Sequence, residues 1–223
     1  MKKNSGGFWD KEYRTARHIA LSENPSEDLV KFTRWLARQS GRKFLNPAAT
    51  VLDLGCGNGR NLAYLAREFG ITGNGLDISA EAIRLAKNNS AYLPIHYEIR
   101  SIGETLRFPD RSQTLVLDMM TSHFLPAKKR AALIGEIARV LKHGGWLFWK
   151  TFLDDKDRHA KKLLREHPAA EIGSYIHPES GLTEHVFNEE EARAALEPFF
   201  IIHKITKSHR LDKRRSMSIY AQK

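Results

Sequence analysis

Residues 51–61, VLDLGCGNGRN, pass from a hydrophobic segment directly into three alternating glycines. Gly55, Gly57 and Gly59 allow the backbone to turn sharply and to approach a ligand closely, and the following helix offers unpaired N–H groups. Asp77 ends the next hydrophobic run, where an acid can accept hydrogen bonds from both hydroxyls of a ribose. The pattern therefore predicts a site for a nucleoside.

The spacing of the glycines indicates which kind of nucleoside is bound. The dinucleotide fingerprint requires glycine at its first, third and sixth positions, but the sixth position is Arg60 when counted from Gly55 and Leu62 when counted from Gly57. Asp53 precedes the loop, and its charge would sit poorly beside a pyrophosphate. These features favour a ligand that has a cationic centre and no phosphate.

An alternating α/β frame is required to position these residues. From residue 50 onward, short apolar runs alternate with amphipathic helices, which is typical of an α/β sheet. Strands are predicted at 50–54, 71–77, 95–101, 114–118, 146–152, 199–206 and 216–222; helices are predicted at 8–21, 24–39, 58–70, 79–89, 127–145 and 186–200. The last two strands are separated by a loop too short for a parallel crossover. We therefore expect an α/β fold: a Rossmann-like, doubly wound, seven-stranded sheet, mostly parallel with an antiparallel edge hairpin, preceded by N-terminal helices.

The organisation of the chain follows from these elements. With 223 residues, of which 41% are apolar, residues 1–223 are expected to form a single domain. Its expected parts are the N-terminal helices (1–48), the ligand-binding core (49–152), an irregular substrate or lid insert (153–187), and the final helix with the edge hairpin (188–223). The insert could equally be a solvated loop. Among the N-terminal aromatics Phe8, Trp9 and Tyr13, ordinary packing is favoured over a position above the ligand.

Composition limits the partners. The net charge of +10 makes attraction to polyanions plausible, and it is concentrated in two late tracts, 154–167 and 203–215, which could also be solvated faces. No apolar run approaches the length of a membrane span, and the first residues lack an apolar export segment, so we expect a soluble, cytoplasmic protein. Cys56 is the single cysteine, and the ten histidines lack the His-Glu-x-x-His spacing, so no metal site is expected.

Four ordered motifs resemble those of the class I S-adenosylmethionine-dependent methyltransferases. LDLGCGNGRN resembles the first motif of that family, and within it is similar to the tellurite-resistance type. GLDIS resembles the second motif, LRFPDRSQTLVLDMMTSHFL the segment around the fourth strand, and RVLKHGGWLFW the turn before the fifth. The resemblance covers residues 50–152 and implies S-adenosylmethionine as cofactor and methyl transfer as activity.

The resemblance also implies roles for individual residues. Asp53 is expected to orient the loop or the cofactor's amino group, Asp77 to bind the ribose, and Asp118 to face the methionine moiety and the acceptor. The full expected cofactor-binding set is Asp53, Gly55, Cys56, Gly57, Asn58, Gly59, Asn61, Asp77, Ile78, Ile102, Gly103 and Asp118. Arg100, Ser101 and Ile102 occupy the place where the family has an acid for the adenine amine, and Glu104 is the nearest acid.

The acceptor side is less specific. Methyl transfer is an in-line displacement in which positioning supplies much of the catalysis, so at most one proton acceptor is needed. His123, Tyr175 and His185 are the expected catalytic candidates because each can take or place a proton, although His123 could instead satisfy a backbone carbonyl. A small-molecule acceptor is favoured because no recognition module is appended. The alternatives are a tRNA or rRNA methyltransferase that uses the basic tracts, and a non-catalytic protein that binds a cofactor or a partner; the intact Asp53, glycine loop and Asp77 argue against the latter. The oligomeric state is not indicated.

Overall fold

The computed structural model of the protein describes residues 5–17, 19, 21–154, 157–208 and 214–223. The strands are β1 Thr50–Leu54, β2 Thr72–Asp77, β3 Ile95–Ile99, β4 Gln113–Met119, β5 Leu141–Phe152, β6 Ser174–Ile176, β7 Thr183–His185, β8 Ile201–Lys207 and β9 Ser216–Gln222. The helices are α1 Ser5–Thr15, α2 Glu27–Ser40, α3 Arg60–Phe69, α4 Ala80–Asn89, α5 Ala127–Val140, α6 Arg158–Glu166 and α7 Glu189–Leu196.

The main sheet has seven strands in the order β3-β2-β1-β4-β5-β9-β8. Strands β1 to β5 are parallel, whereas β9 runs antiparallel to both β5 and β8. This confirms the predicted mostly parallel sheet with an antiparallel edge hairpin and preceding helices. The strand order reverses between β1 and β4, where Leu54 pairs with both Leu76 and Asp118. A ligand crevice is therefore expected at the carboxyl ends of β1, β2 and β4.

The core lies on both faces of the sheet. Along β4, Leu115 and Leu117 belong to one buried cluster and Val116 to the other, as the alternation of side chains along a strand requires. Helices α2, α3 and α4 cover the first face, and α5 and α7 cover the second. Strands buried on both faces explain the continuous apolar runs in the sequence.

The boundary between α5 and β5 differs from the prediction. The helix was expected to run to the Gly144–Gly145 pair, but it ends at Val140, and β5 begins at Leu141. Leu141 is fully buried and pairs with Gln113 of β4, and the register then shifts before Leu115 pairs with Trp146. The glycines therefore lie within an irregular part of the strand, where Gly144 adopts a φ of +73°. Pairing with β4 outweighs the local helical preference of residues 141–143.

The segment 153–187 is not the irregular connection that the sequence suggested. It contains α6 and a two-stranded antiparallel sheet of β6 and β7. Asp157 caps α6 by accepting hydrogen bonds from the N–H groups of His159 and Ala160. A small buried cluster, formed by Ala160, Leu163, Tyr175 and Val186, holds the helix on the hairpin. This packing joins residues far apart along the segment, so periodicity did not reveal it.

Candidate active site

A cavity of about 500 Å³ lies at the carboxyl ends of β1, β2 and β4. Eight of the twelve expected cofactor-binding residues contribute to its wall: Gly55, Cys56, Gly57, Asn58, Asn61, Asp77, Ile78 and Ile102. These residues come from the loop after β1, from the start of α3, and from the ends of β2 and β3. The structure therefore brings together most of the set that the sequence proposed, at the place where the strand order reverses.

The glycine loop is shaped by backbone geometry and by close packing. Gly55, Gly57 and Gly59 have φ values of +73°, +56° and +76°, a region in which side chains are strained. A Cβ on Gly57 would lie 2.5 Å from the hydroxyl of Tyr13. A Cβ on Gly59 would clash with the hydroxyl of Tyr97, which places Gly59 against the protein rather than in the cavity wall. The third glycine thus serves the packing of the loop.

Asp77 holds the loop in place while remaining at the cavity surface. Its Oδ2 accepts a hydrogen bond from the N–H of Gly57 at 2.9 Å, and its Oδ1 accepts one from the N–H of Ser79 at 2.9 Å. Burial raises the pKa of Asp77, against the opposing effect of these N–H donors. Because an ionised carboxylate has about four acceptor positions, capacity remains for two hydroxyls of a ribose.

Asp53 and Asp118 lie beneath the loop rather than in the cavity wall. Asp53 is 1% exposed, and its Oδ2 has no hydrogen-bond partner among the described residues. Burial, together with the charges of Asp77 and Asp118, raises the pKa of Asp53 to about 8. Burial also raises the pKa of Asp118 to about 6, and its Oδ1 accepts a hydrogen bond from the N–H of Ser122 at 3.1 Å. The buried, unpartnered Oδ2 of Asp53 fits a ligand that carries a positive charge, as S-adenosylmethionine does.

The remaining expected residues lie around this site. Gly103 follows β3 and packs against the side chains of Leu125 and Lys129. Arg100, Ser101 and Ile102 line the cavity at the end of β3, and the guanidinium of Arg100 donates to the carboxylate of Glu98. The cavity wall at this strand end is therefore formed without an acid from residues 100–102.

Helix α1 contributes a wall that sequence reasoning had assigned to ordinary packing. Trp9 and Tyr13 both line the cavity, and Trp9 also packs edge-on against Phe124 with 5.1 Å between ring centroids. Asp10 fixes the helix in this position, because its Oδ1 accepts hydrogen bonds from the hydroxyl of Ser79 at 2.7 Å and the N–H of Glu81 at 3.1 Å. The aromatic residues of α1 were the available signal; a position above the ligand was considered, but ordinary packing was favoured.

Other wall residues were not anticipated. They are Ile19, Leu21, Ser26, Arg60, Met119, Met120, Thr121, Phe124, Leu125, Lys150, Leu182 and Thr183. Met120 is notable because it has a φ of +64°, and strained backbone of this kind clusters at functional sites. Nothing in the sequence around Met120 indicates this conformation, since it arises where β4 turns into the short 3₁₀ helix Ser122–Phe124.

The three predicted catalytic side chains are buried behind the cavity. His123 is 1% exposed, lies between the rings of Phe124 and Phe152, and has no hydrogen-bond partner among the described residues. Burial lowers the pKa of His123 to about 3, so the ring is neutral. Tyr175 donates its hydroxyl to the carboxylate of Glu184 at 2.5 Å. None of the three lies in the cavity wall formed by the described residues, and their catalytic role stays a prediction.

His185 has partners on both ring nitrogens. Its Nδ1 lies 2.9 Å from the hydroxyl of Ser174, and its Nε2 lies 2.7 Å from a carboxylate oxygen of Glu191. The residue therefore ties β6 and β7 to the start of α7. This arrangement is that of a buried histidine whose hydrogen bonds connect secondary-structure elements.

Two absences apply to the described part of the chain. Within it, no group of three or more His, Cys, Asp or Glu side chains is arranged to hold a metal ion. In the same ranges, no helix has both the length and the apolar character needed to cross a bilayer.

The two basic tracts are only partly described, since residues 155–156 of the first and 209–213 of the second lie outside the described residues.

Comparison with known proteins agrees with this geometry. Residues 51–145 match the family model described as a methyltransferase domain. The chain is 30% identical over 132 residues to the fatty-acid O-methyltransferase of Mycolicibacterium smegmatis, covering 59% of this chain and 46% of that protein. It is 27% identical over 177 residues to the 2-methyl-6-phytyl-1,4-hydroquinone methyltransferase of Synechocystis, covering 75% and 55% respectively. The chain thus spans about half the length of the curated relatives it matches.

A solved structure supports the same conclusion over a larger share of the chain. A SAM-dependent methyltransferase from Methanosarcina mazei superposes with a TM-score of 0.69 at 29% sequence identity, covering 82% of this chain and 95% of that one. Residues 51–145, which the family model matches, contain the glycine loop and Asp77. Residues 51–145 therefore match a methyltransferase-domain family model, and over most of its length the chain is similar to a SAM-dependent methyltransferase.

Proposed function

We propose that this chain transfers the methyl group of S-adenosylmethionine to a nucleophile on a small molecule. The observation that carries the proposal is the cavity at the strand-order reversal, with Asp77 in its wall and the buried, unpartnered Oδ2 of Asp53 beneath it. The cofactor supplies an activated methyl: the sulfur–carbon bond breaks as the acceptor–carbon bond forms, S-adenosylhomocysteine leaves, and a protic acceptor loses one proton.

Holding the cofactor is the task of the loop and of the strand ends. We assign the ribose hydroxyls to Asp77, the methionine part to the backbone of residues 55–58, and the adenine to the space beside Ile78 and Ile102. The carboxyls of Asp53 and Asp118 lie buried beneath the loop with raised pKa values, and a cationic ligand would stabilise their ionised forms. Asn61 braces this region, because its side-chain oxygen accepts a hydrogen bond from the N–H of Ser26 at 3.0 Å.

Orientation and exclusion of water supply most of the catalysis in this proposal. Trp9 and Tyr13 cover the cavity from α1, and an apolar cover keeps the reacting atoms aligned and dry. The neutral, buried His123 is a weak base, and Tyr175 and His185 are engaged by Glu184 and Glu191. We therefore propose that these three side chains position the hairpin β6–β7, whose residues Leu182 and Thr183 reach the cavity.

The division of the chain and the choice of acceptor are part of the same proposal. We assign cofactor binding to residues 49–152 and acceptor selection to 153–187, both within a single domain. We place the protein in the cytoplasm. The order Gly59–Arg60–Asn61 supports kinship with the tellurite-resistance type. The names of the two curated relatives specify small molecules, a fatty acid and a hydroquinone, which supports a small-molecule acceptor over RNA.

The test is to incubate purified protein with methyl-labelled S-adenosylmethionine and total cell extract, and then to separate RNA, protein and small molecules. Label in the small-molecule fraction supports the proposal, whereas label in nuclease-sensitive material assigns the activity to RNA. Absence of label, despite calorimetric binding of S-adenosylhomocysteine, points to a non-catalytic protein.

The matched variants are Asp77→Asn and Glu68→Gln. Asp77→Asn keeps the size of the side chain but removes its charge, and loss of charge-assisted hydrogen bonds to the ribose should weaken S-adenosylhomocysteine binding by about 10- to 100-fold. Glu68 is exposed on α3, so the Glu68→Gln variant should bind S-adenosylhomocysteine as tightly as the wild type does. Unchanged affinity in Asp77→Asn would remove the ribose assignment.

A further inference from the structure

A second depression adjoins the cofactor cavity. It has a volume of about 1220 Å³ and lies between α2 and the edge strands β8 and β9. The two cavities share four wall residues, Ser26, Arg60, Met120 and Lys150. We call this second depression the basic groove. Because its wall is continuous with that of the cofactor cavity, a molecule bound in the groove can extend toward the cofactor.

The wall of the basic groove carries a strong excess of positive charge. Its cationic side chains are Lys31, Arg34, Arg38, Arg60, Lys150, Lys204, Lys207 and Arg214, whereas its acids are Glu27 and Asp28. Asp28 is engaged by Lys150, with 2.6 Å between the carboxylate oxygen and Nζ. Hydroxyl groups of Thr206, Ser208, Ser216 and Ser218 lie in the same wall. Cations and hydroxyls together suit an anionic ligand.

Arg214 provides a specific docking point within this surface. Its Nη1 donates to Glu184 at 2.7 Å, but its buried Nε and Nη2 have no acceptor among the described residues. The guanidinium lies flat against Phe152, with 3.5 Å from Cζ to the ring centroid. Nε and Nη2 point from one edge of the guanidinium, and this edge matches the two oxygens of a carboxylate or a phosphate.

Unsatisfied buried donors require an explanation because they are costly and uncommon. The contact with Phe152 and the bond to Glu184 fix the orientation of Arg214, so its two buried donors, Nε and Nη2, are held in place without further ordering of the side chain. A ligand oxyanion that reached this edge would satisfy both nitrogens at once. An oxyanion is therefore the chemical group that would match these two donors.

We propose that the methyl acceptor carries a carboxylate or phosphate group that binds the Nε/Nη2 edge of Arg214. The acceptor lies in the basic groove, and its nucleophile reaches the cofactor past Lys150 and Met120. This inference rests on the proposed methyltransferase function. The anionic group is a recognition group held apart from the reacting atom, because Arg214 belongs to the wall of the groove and the cofactor to the neighbouring cavity.

The experiment is calorimetry on protein loaded with S-adenosylhomocysteine, titrated in separate arms with inorganic pyrophosphate and with citrate. We expect saturable binding in at least one arm, and the stronger arm distinguishes a phosphate from a carboxylate. Arg214→Met should weaken that binding by about tenfold or more, as expected when two charge-assisted hydrogen bonds are lost. Arg214→Lys keeps the charge but not the edge and should show most of the same loss.

Controls separate this inference from the proposed function and from damage to the fold. Arg165→Met removes a largely exposed arginine of α6, outside the groove, and should leave anion binding unchanged. Binding of S-adenosylhomocysteine should persist in every Arg214 variant. If the wild type fails to bind S-adenosylhomocysteine, the proposed function fails; if it binds that ligand but neither anion, only the acceptor inference fails.

Two further outcomes would overturn the inference. The first is undiminished anion binding in both Arg214 variants, which would mean that general positive charge attracts the anions. The second is single-stranded RNA binding that is far tighter than pyrophosphate binding, depends steeply on salt and is lost on substitution of Arg34 and Arg38 but not of Arg214. That result would identify the groove as a polynucleotide surface.

Discussion

At the scale of single residues, burial and neighbouring acids disfavour the ionised form of Asp53. It is buried at the end of β1, near the negative charges of Asp77 and Asp118, and one of its oxygens lacks a partner among the described residues. Its pKa of about 8 means that the carboxyl is largely protonated at neutral pH before a ligand arrives. A cationic cofactor would stabilise the ionised form of Asp53. The empty site is therefore less stable than the site with its ligand bound.

This electrostatic position predicts the pH dependence of stability. Between pH 4 and the folded-state value of about 8, the native chain retains a proton on Asp53 that the unfolded chain releases. The contribution of Asp53 to stability is therefore full below pH 4 and is lost as the pH rises toward 8. The side chain of Asp53→Asn cannot titrate. Its free energy of unfolding, relative to that of the wild type, should therefore increase by roughly 1 kcal/mol or more between pH 5 and pH 8, given about 1.4 kcal/mol per pKa unit.

Urea unfolding of both proteins at the two pH values measures this difference. The free energy of unfolding of Asp53→Asn, minus that of the wild type, should be larger at pH 8 than at pH 5. The same comparison with Asp110→Asn, whose carboxyl is largely exposed, serves as the control. Parallel pH profiles for wild type and Asp53→Asn would show that the carboxyl is not protonated in the native state.

At the scale of elements, helix α1 covers the cofactor cavity and is held against α4 by Asp10. Asp10 accepts hydrogen bonds from the side chain of Ser79 and the backbone of Glu81, at the first turn of α4. Ser79 also caps α4 by accepting from the N–H of Ala82, as its position before the helix predicted. The contact therefore couples the N-terminal cover to the strand end that carries Asp77.

Asp10→Ala should loosen this cover without disturbing the sheet. We expect S-adenosylhomocysteine to dissociate about tenfold faster, since loss of a charge-assisted hydrogen bond is worth about 1.5–3 kcal/mol and part of this is recovered by water. Stopped-flow fluorescence can follow dissociation through Trp9, which lines the cavity. Lys11→Ala, at an exposed position of the same helix, is the matched control. Equal dissociation rates in Asp10→Ala and wild type would contradict the role of α1 as a cover.

The insert is an element of comparable importance, because it connects the two cavities. Leu182 and Thr183, at the entry to β7, line the cofactor cavity, and the next residue, Glu184, holds both Tyr175 and Arg214. The open edge of Arg214 is therefore oriented by the same hairpin that contacts the cofactor site. This arrangement supports assigning acceptor selection to residues 153–187.

At the scale of the whole molecule, an aromatic cluster binds the N-terminal half to the edge hairpin. Phe32 of α2 is fully buried, stacks on Phe148 of β5 with 5.0 Å between centroids, and packs edge-on against Tyr220 of β9 at 4.9 Å. Trp35 and Trp146 complete the cluster. One wall of the basic groove is built on this packing, because Trp35 and Tyr220 also line it.

Phe32→Ala should destabilise the fold by about 3–5 kcal/mol, since it removes a large buried ring and leaves a cavity in the core. Urea unfolding measures this change. Ile201→Ala, at a side chain that is 67% exposed on the edge strand β8, should change stability far less. A loss below about 1 kcal/mol in Phe32→Ala would show that the cluster can repack around the deletion.

The sequence by itself determined the frame of the molecule and the location of its cofactor site. Alternating apolar runs and capped helices predicted the strands, the edge hairpin and the doubly wound sheet, because periodicity and capping are local properties. The glycine loop and Asp77 were recognisable for the same reason, since the backbone conformation that the loop requires is determined by residues adjacent in the sequence. Even so, local signals misplaced the end of α5, where pairing with β4 prevails.

Only the tertiary structure decided which side chains meet. Trp9 and Tyr13 reach the cavity because α1 packs against α4, and Arg214, which lies just before β9, contributes to the wall of the basic groove. The same packing buries His123 behind the cavity wall. Such contacts join residues distant in the chain, and their burial and charge depend on every element around them, so no single stretch of sequence encodes them.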